Sequence, residues 1–174
     1  MNGVISYAIP FGSASSNRLV KNVLGGWNVE SIWGWRSGLP LNITSGIDSY
    51  GNGRSTGQRP DAVAGVDPYR ELPQNLIWLN PAAFNIAGPR SQQRYGNLGY
   101  NLLIGPTAFT MDLALHKTFF LTERNQLTFR AEAFNWLNHT TFGNPITNAS
   151  DPNFGTINSA GTPRNIQLAL KYRF

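Results

Sequence analysis

Residues 164–174, RNIQLALKYRF, alternate between apolar and polar side chains to the last position. Ile166, Leu168, Leu170, Tyr172 and Phe174 fall on one side of an extended chain, with Asn165, Gln167, Ala169, Lys171 and Arg173 on the other. Successive strand side chains point to opposite faces, so this period of two predicts a strand with one apolar face. The period recurs upstream. In QLTFRAEAFNWLN, residues 126–138, Leu127, Phe129, Ala131 and Ala133 alternate with Thr128, Arg130, Glu132 and Phe134. In AFTMDLALHKTFF, residues 108–120, Phe109, Met111, Leu113, Leu115 and Phe119 oppose Thr110, Asp112, Ala114, His116 and Thr118.

Two further segments follow the rule. In GWNVESIWGWRSGLPLNIT, residues 26–44, Trp27, Val29, Trp33, Trp35, Leu39, Leu41 and Ile43 oppose Asn28, Glu30, Gly34, Arg36 and Asn42. In GVISYAIP, residues 3–10, Ile5, Tyr7 and Ile9 oppose Val4, Ser6 and Ala8. The expectation is an all-β antiparallel meander of about five long strands. Their connections run to about sixteen, sixty, five and twenty-five residues, so short turns alternate with long loops, as in bacterial outer-membrane barrels. Glu30, Arg36, Asp112, Arg130, Glu132, Lys171 and Arg173 all fall on polar faces, which suits a wet lumen and not lipid. A soluble β-sandwich with one buried face explains the alternation equally well. It accommodates the sixty-residue loop and the apolar terminus less well.

Composition narrows the choice only partly. The 174 residues include 18 Gly and 11 Pro, which favours strands and irregular loops over helices. Cysteine is absent, which excludes disulfides and thiolate metal sites. No segment approaches the roughly 20 apolar residues of a spanning helix, and alternating barrel strands leave little trace in averaged hydropathy. The formal charge of +5 comes from scattered basic residues, without the cluster that nucleic-acid binding needs. The N-terminal stretch MNGVISYAIPFG has no basic n-region or long apolar core, so an export signal is not expected within this sequence.

Catalytic and metal chemistry find little support. His116 and His139 lie on different segments with no carboxylate at ligand spacing. GNGRSTG, residues 51–57, lacks the Lys-Ser/Thr ending of a phosphate loop. No Ser or Thr has a nearby histidine to act as base. Glu132 and Arg130 are expected to pair across the polar face to Lys171 or Asp112. In NPAAF, Asn80 suits an N-cap and Pro81 the first helical position, predicting a single turn pinned by Trp78 and Phe84. Those two aromatics are also the weak candidates for ligand contact. No enzyme, cofactor or metal is expected.

Several ordered motifs resemble one family. GGWNVESIWGWRSGLPLNIT, WLNPAAF (78–84), GNLGYNLLIGPTAFTMDLALHK (96–117), FRAEAFNWLNHTTFGNP and FGTINSAGTPRNIQLALKYRF resemble, in this order, Oar-like TonB-dependent transporters. Tyr100 and Ile104 stand where the family often has arginine. The end of the chain resembles the assembly signal of outer-membrane barrels, carried by Gln167, Ala169, Tyr172 and Phe174. The resemblance implies a C-terminal segment of a transmembrane barrel with long extracellular loops, in the outer membrane of a Gram-negative-type bacterium. Residues 1–174 would be a partial barrel, because such transporters have 22 strands and a plugged lumen; about seventeen strands, the plug and the TonB-contacting segment would lie elsewhere. Implied partners are outer-membrane lipid, the barrel-assembly machinery and, only through that plug, the TonB complex. The implied function is energised uptake of a ligand. The alternative is a non-transport β-protein, such as a surface adhesin or a carbohydrate-binding sandwich.

Overall fold

The computed structural model describes residues 1–12, 16–70 and 76–174. The chain divides into two compact units. The first, Met1–Arg36 with Ala108–Thr141 and Thr162–Phe174, is a five-stranded antiparallel sheet. Its strands are β1 (Asn2–Ala8), β2 (Trp27–Arg36), β3 (Ala108–Phe120), β4 (Gln126–Phe134) and β5 (Asn165–Arg173). Each strand pairs with its neighbour in sequence, which is the predicted meander. A short helix, α1 (Arg18–Leu24), interrupts the connection from β1 to β2. It is capped by Asn17, whose side chain accepts the Leu19 N–H. The turn from β3 to β4 closes with Leu121 N–H donating to Asn125 O at 2.9 Å.

Register fixes which side chains share a face. Val29 lies opposite Leu115, Leu115 opposite Ala131, and Ala131 opposite Leu168. The next row joins Glu30, Ala114, Glu132 and Gln167. One face is therefore mainly apolar across all five strands and the other mainly polar, as the alternation predicts. Among the described residues of this unit the apolar face carries no second layer: Ile166, Leu168 and Leu170 are 60–72% exposed. A sandwich would cover these side chains, because burying them is what makes it fold. Aromatics mark both ends of this face. Trp27 meets Phe119 and Phe129 edge-on at 6.4 and 6.0 Å, and Trp33, Trp35 and Phe109 stand at the other end. From Phe109 to Phe119 the strand rises about 33 Å, which at about 40° of tilt spans about 25 Å, the height of the apolar band of outer-membrane barrels.

The second unit, Ser37–Thr107 with Phe142–Gly161, comes from the two long connections. Its core is Leu41, Ile43, Leu79, Ala83, Phe84, Leu98, Leu103 and Phe154. The expected strand over 26–44 thus stops early. It ends at Arg36, and Leu41 and Ile43 are 3% and 1% exposed inside the loop core. Pro40–Leu41 pairs instead with Leu103–Ile104. Alternation persists through this segment although the packing partner changes, so period alone could not locate the break. The expected strand over 126–138 also ends sooner, at Phe134. Asn135 and Asn138 adopt positive φ (49° and 51°) and turn the chain. The NPAAF turn forms as predicted: Pro81–Ala83 is a single 3-10 turn capped by Asn80.

Candidate functional site

Eight formally charged side chains lie on the five strands, and the register separates them. Glu30, Arg36, Asp112, Arg130, Glu132, Lys171 and Arg173 all share the polar face. The expectation that Arg130 and Glu132 pair across to Lys171 or Asp112 is corrected by the geometry. They pair with each other along β4, with Arg130 Nη2 at 2.7 Å and Nε at 2.9 Å from Glu132 Oε1. Lys171 lies opposite Thr128, two same-face steps from Gln167, the residue facing Glu132. Asp112 is engaged at the corner after β4, where Oδ1 accepts the Asn135 N–H at 2.8 Å. Asn135 holds that corner further, donating to His139 O and Thr162 O.

The eighth charge is Lys117, on the apolar face, and sequence reasoning passed over it. Its side chain is 2% exposed. The ammonium donates to Val23 O at 3.0 Å and to Gly25 O, the carbonyls at the end of α1. It also sits 4.7 Å from the Phe119 ring centre and 5.4 Å from that of Trp27. A missing beat in the apolar series of β3 was its only trace in the sequence.

The loop unit is stapled by polar contacts with no sequence periodicity. Asp48 accepts the N–H groups of Gly51, Asn52 and Gly53. The GNGRSTG stretch therefore wraps a carboxylate of its own chain instead of offering its amides to a phosphate. The Gln58 side-chain hydrogen bond, with these amides, lowers the Asp48 pKa. Arg94 grips Asp61 with two bonds, 2.9 and 2.7 Å. That guanidinium holds the Asp61 carboxyl below its ordinary range. The side chains of this pair are 40% and 13% exposed for Arg94 and Asp61. The sign follows from linkage: a depressed carboxyl contributes stability above its unfolded value, about 3.9, and loses it as pH falls through the folded value. Protease resistance of the loops should accordingly drop below about pH 4. In Asp61→Asn the resistance should be lower at neutral pH and this acid step reduced. An unchanged acid step would remove Asp61 from the account.

Between these staples is an open cleft of about 460 Å³ lined by Asn52, Arg54, Gln58, Arg59, Tyr95 and Tyr100. Tyr50 stacks on Tyr95 at 5.0 Å, and the Arg59 guanidinium lies 4.1 Å over the Tyr100 ring. Tyr100, one of the two departures from the family's arginines, thus supports an arginine from elsewhere in the loop. The other, Ile104, donates its N–H to the Tyr69 hydroxyl. Trp78 and Phe84, the sequence's ligand candidates, are engaged in packing. Trp78 donates its indole N–H to Ile104 O at 3.0 Å, and Phe84 is 9% exposed against Phe154. His116 and His139 stay apart, the latter edge-on to Phe109. Gln167 and Ala169 lie on the polar face and Tyr172 on the apolar one, while Phe174 follows the strand, 92% exposed with its ring 6.0 Å from that of Tyr172.

A family model described as "Outer membrane beta barrel domain" matches residues 1–167. No curated protein and no solved structure matches the chain. The uncovered apolar face, the segregated charges and the aromatic ends agree with that match, so the chain belongs to the outer membrane beta barrel domain family and resides in the outer membrane.

Proposed function

We propose that these strands are part of the wall of an Oar-like TonB-dependent transporter, a receptor for energised uptake and not an enzyme. The open sheet carries the reading. Among the described residues β1 pairs only with β2 and β5 only with β4, and unpaired strand edges are not tolerated in hydrocarbon. More strands must complete the barrel, and the ordered motifs from GGW to the terminal aromatics suit a 22-stranded, plugged transporter. The seven charges of the polar face then line the lumen around the plug. The loop unit, with its polar cleft, supplies the outward surface for ligand capture. The barrel-assembly machinery reads the aromatic pair Tyr172 and Phe174.

The test is coupling to TonB. The full-length receptor should retain the periplasmic domain of TonB when crosslinked in cells, and lose it when the plug segment is deleted. Retention that is independent of the plug, or none at all, would favour an outer-membrane adhesin, the reading to which the exposed Tyr50–Tyr95 pair lends some support.

A further inference from the structure

The connection between β1 and β2 does more than turn the chain. The end of α1 is fastened to the apolar face: Lys117 and Trp27 both donate to Val23 O, the indole at 3.1 Å. Both residues belong to the apolar rows of the register. The helix end therefore lies on the lipid side of the wall, at the level of the Trp27, Phe119 and Phe129 aromatics. Leu19, Val23 and Leu24 are nevertheless 74%, 57% and 42% exposed, and Phe11 is 69% exposed. Residues 9–26 contain two basic residues and no acidic one. Beside α1 is a mainly apolar cleft of about 370 Å³, lined by Lys21, Asn22, Val23, Lys117, Phe119 and Leu121 among others.

We propose that α1 is an interfacial segment that binds anionic phospholipid of the periplasmic leaflet. Acyl chains cover Leu19, Val23 and Leu24, and the headgroup phosphate meets Lys21. Three observations select this occupant. The exposed apolar surface is continuous with the lipid-facing wall, so whatever solvates the wall reaches α1. The net positive charge matches an anionic headgroup at the depth where headgroups lie. Among the described residues Lys117 bonds to two carbonyls and forms no ion pair that would offset its charge. Lys117 acts as a positioning residue, holding the last turn of α1 by its carbonyls as a cation suits a helix C-terminus.

This inference rests on the wall reading, and the experiment separates the two. The chain has no cysteine, so single nitroxide labels can be placed at Leu19, Val23, Leu168 and Glu123 of the full-length protein in a cysteine-free background. It is reconstituted in phosphatidylethanolamine vesicles with and without phosphatidylglycerol. Labels at Leu19 and Val23 should collide with oxygen more than with a water-soluble nickel complex, as at Leu168 and unlike Glu123. Phosphatidylglycerol retained by the purified barrel in native mass spectrometry should fall about fivefold in Lys21→Gln, the effect of one basic residue at a membrane surface. Water-like collisions at Leu19 and Val23 with lipid-like collisions at Leu168 would overturn the proposal and leave the wall standing. Water-like collisions at Leu168 would overturn both. Unchanged lipid retention in Lys21→Gln would overturn the headgroup assignment.

Discussion

Leu168→Arg and Leu113→Arg are expected to block assembly or strongly destabilise the barrel, whereas Gln167→Arg and Thr110→Arg are tolerated. The two leucines lie near the middle of β5 and β3 on the apolar face. An arginine there meets hydrocarbon and costs about 2–4 kcal/mol at the midplane, about 30- to 900-fold in the folding equilibrium. Gln167 is one residue away but faces Glu132 across the strand pair, so a new guanidinium there gains a carboxylate neighbour. Thr110 is exposed and faces Gly34, which leaves open space for a longer side chain. Folding titrations in lipid vesicles, with heat-modifiable gel mobility as the readout, measure the difference. Equal damage on both faces would contradict a wall with one lipid face and favour a sheet buried on both sides.

Removal of Phe174 is expected to cut the amount of protein reaching the outer membrane far more than it lowers melting temperature. The ring is 92% exposed in the chain and touches little beyond Tyr172. Partial burial of one aromatic ring contributes about 1–2 kcal/mol at most. In a barrel larger than 200 residues that corresponds to a shift of only about 2–8 °C. An assembly signal has no such ceiling, because it acts on the rate of insertion and not on the finished structure. Quantitative blots of outer-membrane fractions, with melting curves on the protein that arrives, separate the effects. Unchanged abundance would reduce β5 to an ordinary closing strand.

Strand identity and strand facing were legible in the sequence because a period of two is enforced locally by the backbone. Apart from Lys117, Phe109 to Phe119 read correctly, as did Ile166 to Tyr172. Strand ends were less legible. Leu39, Leu41 and Ile43 continue the alternation of β2, yet Leu41 and Ile43 pack in the loop core. Burial there is set by partners such as Leu79 and Phe154, far away in sequence. The loop staples were illegible for the same reason: Asp61 and Arg94 meet across a sequence separation of 33. Arg130 and Glu132 were recognised as a pair-forming set, but register decided for the intrastrand contact. Lys117 was hidden because a charge on an apolar face makes sense only once the carbonyls of α1 are seen beside it.

The orientation of the wall tests the account most directly. β2 ends and β3 begins at the sheet end opposite the 121–125 hairpin, and residues 140–163 leave β4 and return to β5 at that same end. Single cysteines placed within 45–106 or 140–163 of the full-length protein should react with a membrane-impermeant maleimide on intact cells. Glu123→Cys, in the hairpin, should react only after the outer membrane is opened. Labelling at Glu123→Cys on intact cells, with the loop positions protected, would contradict the orientation and place the loop unit in the periplasm.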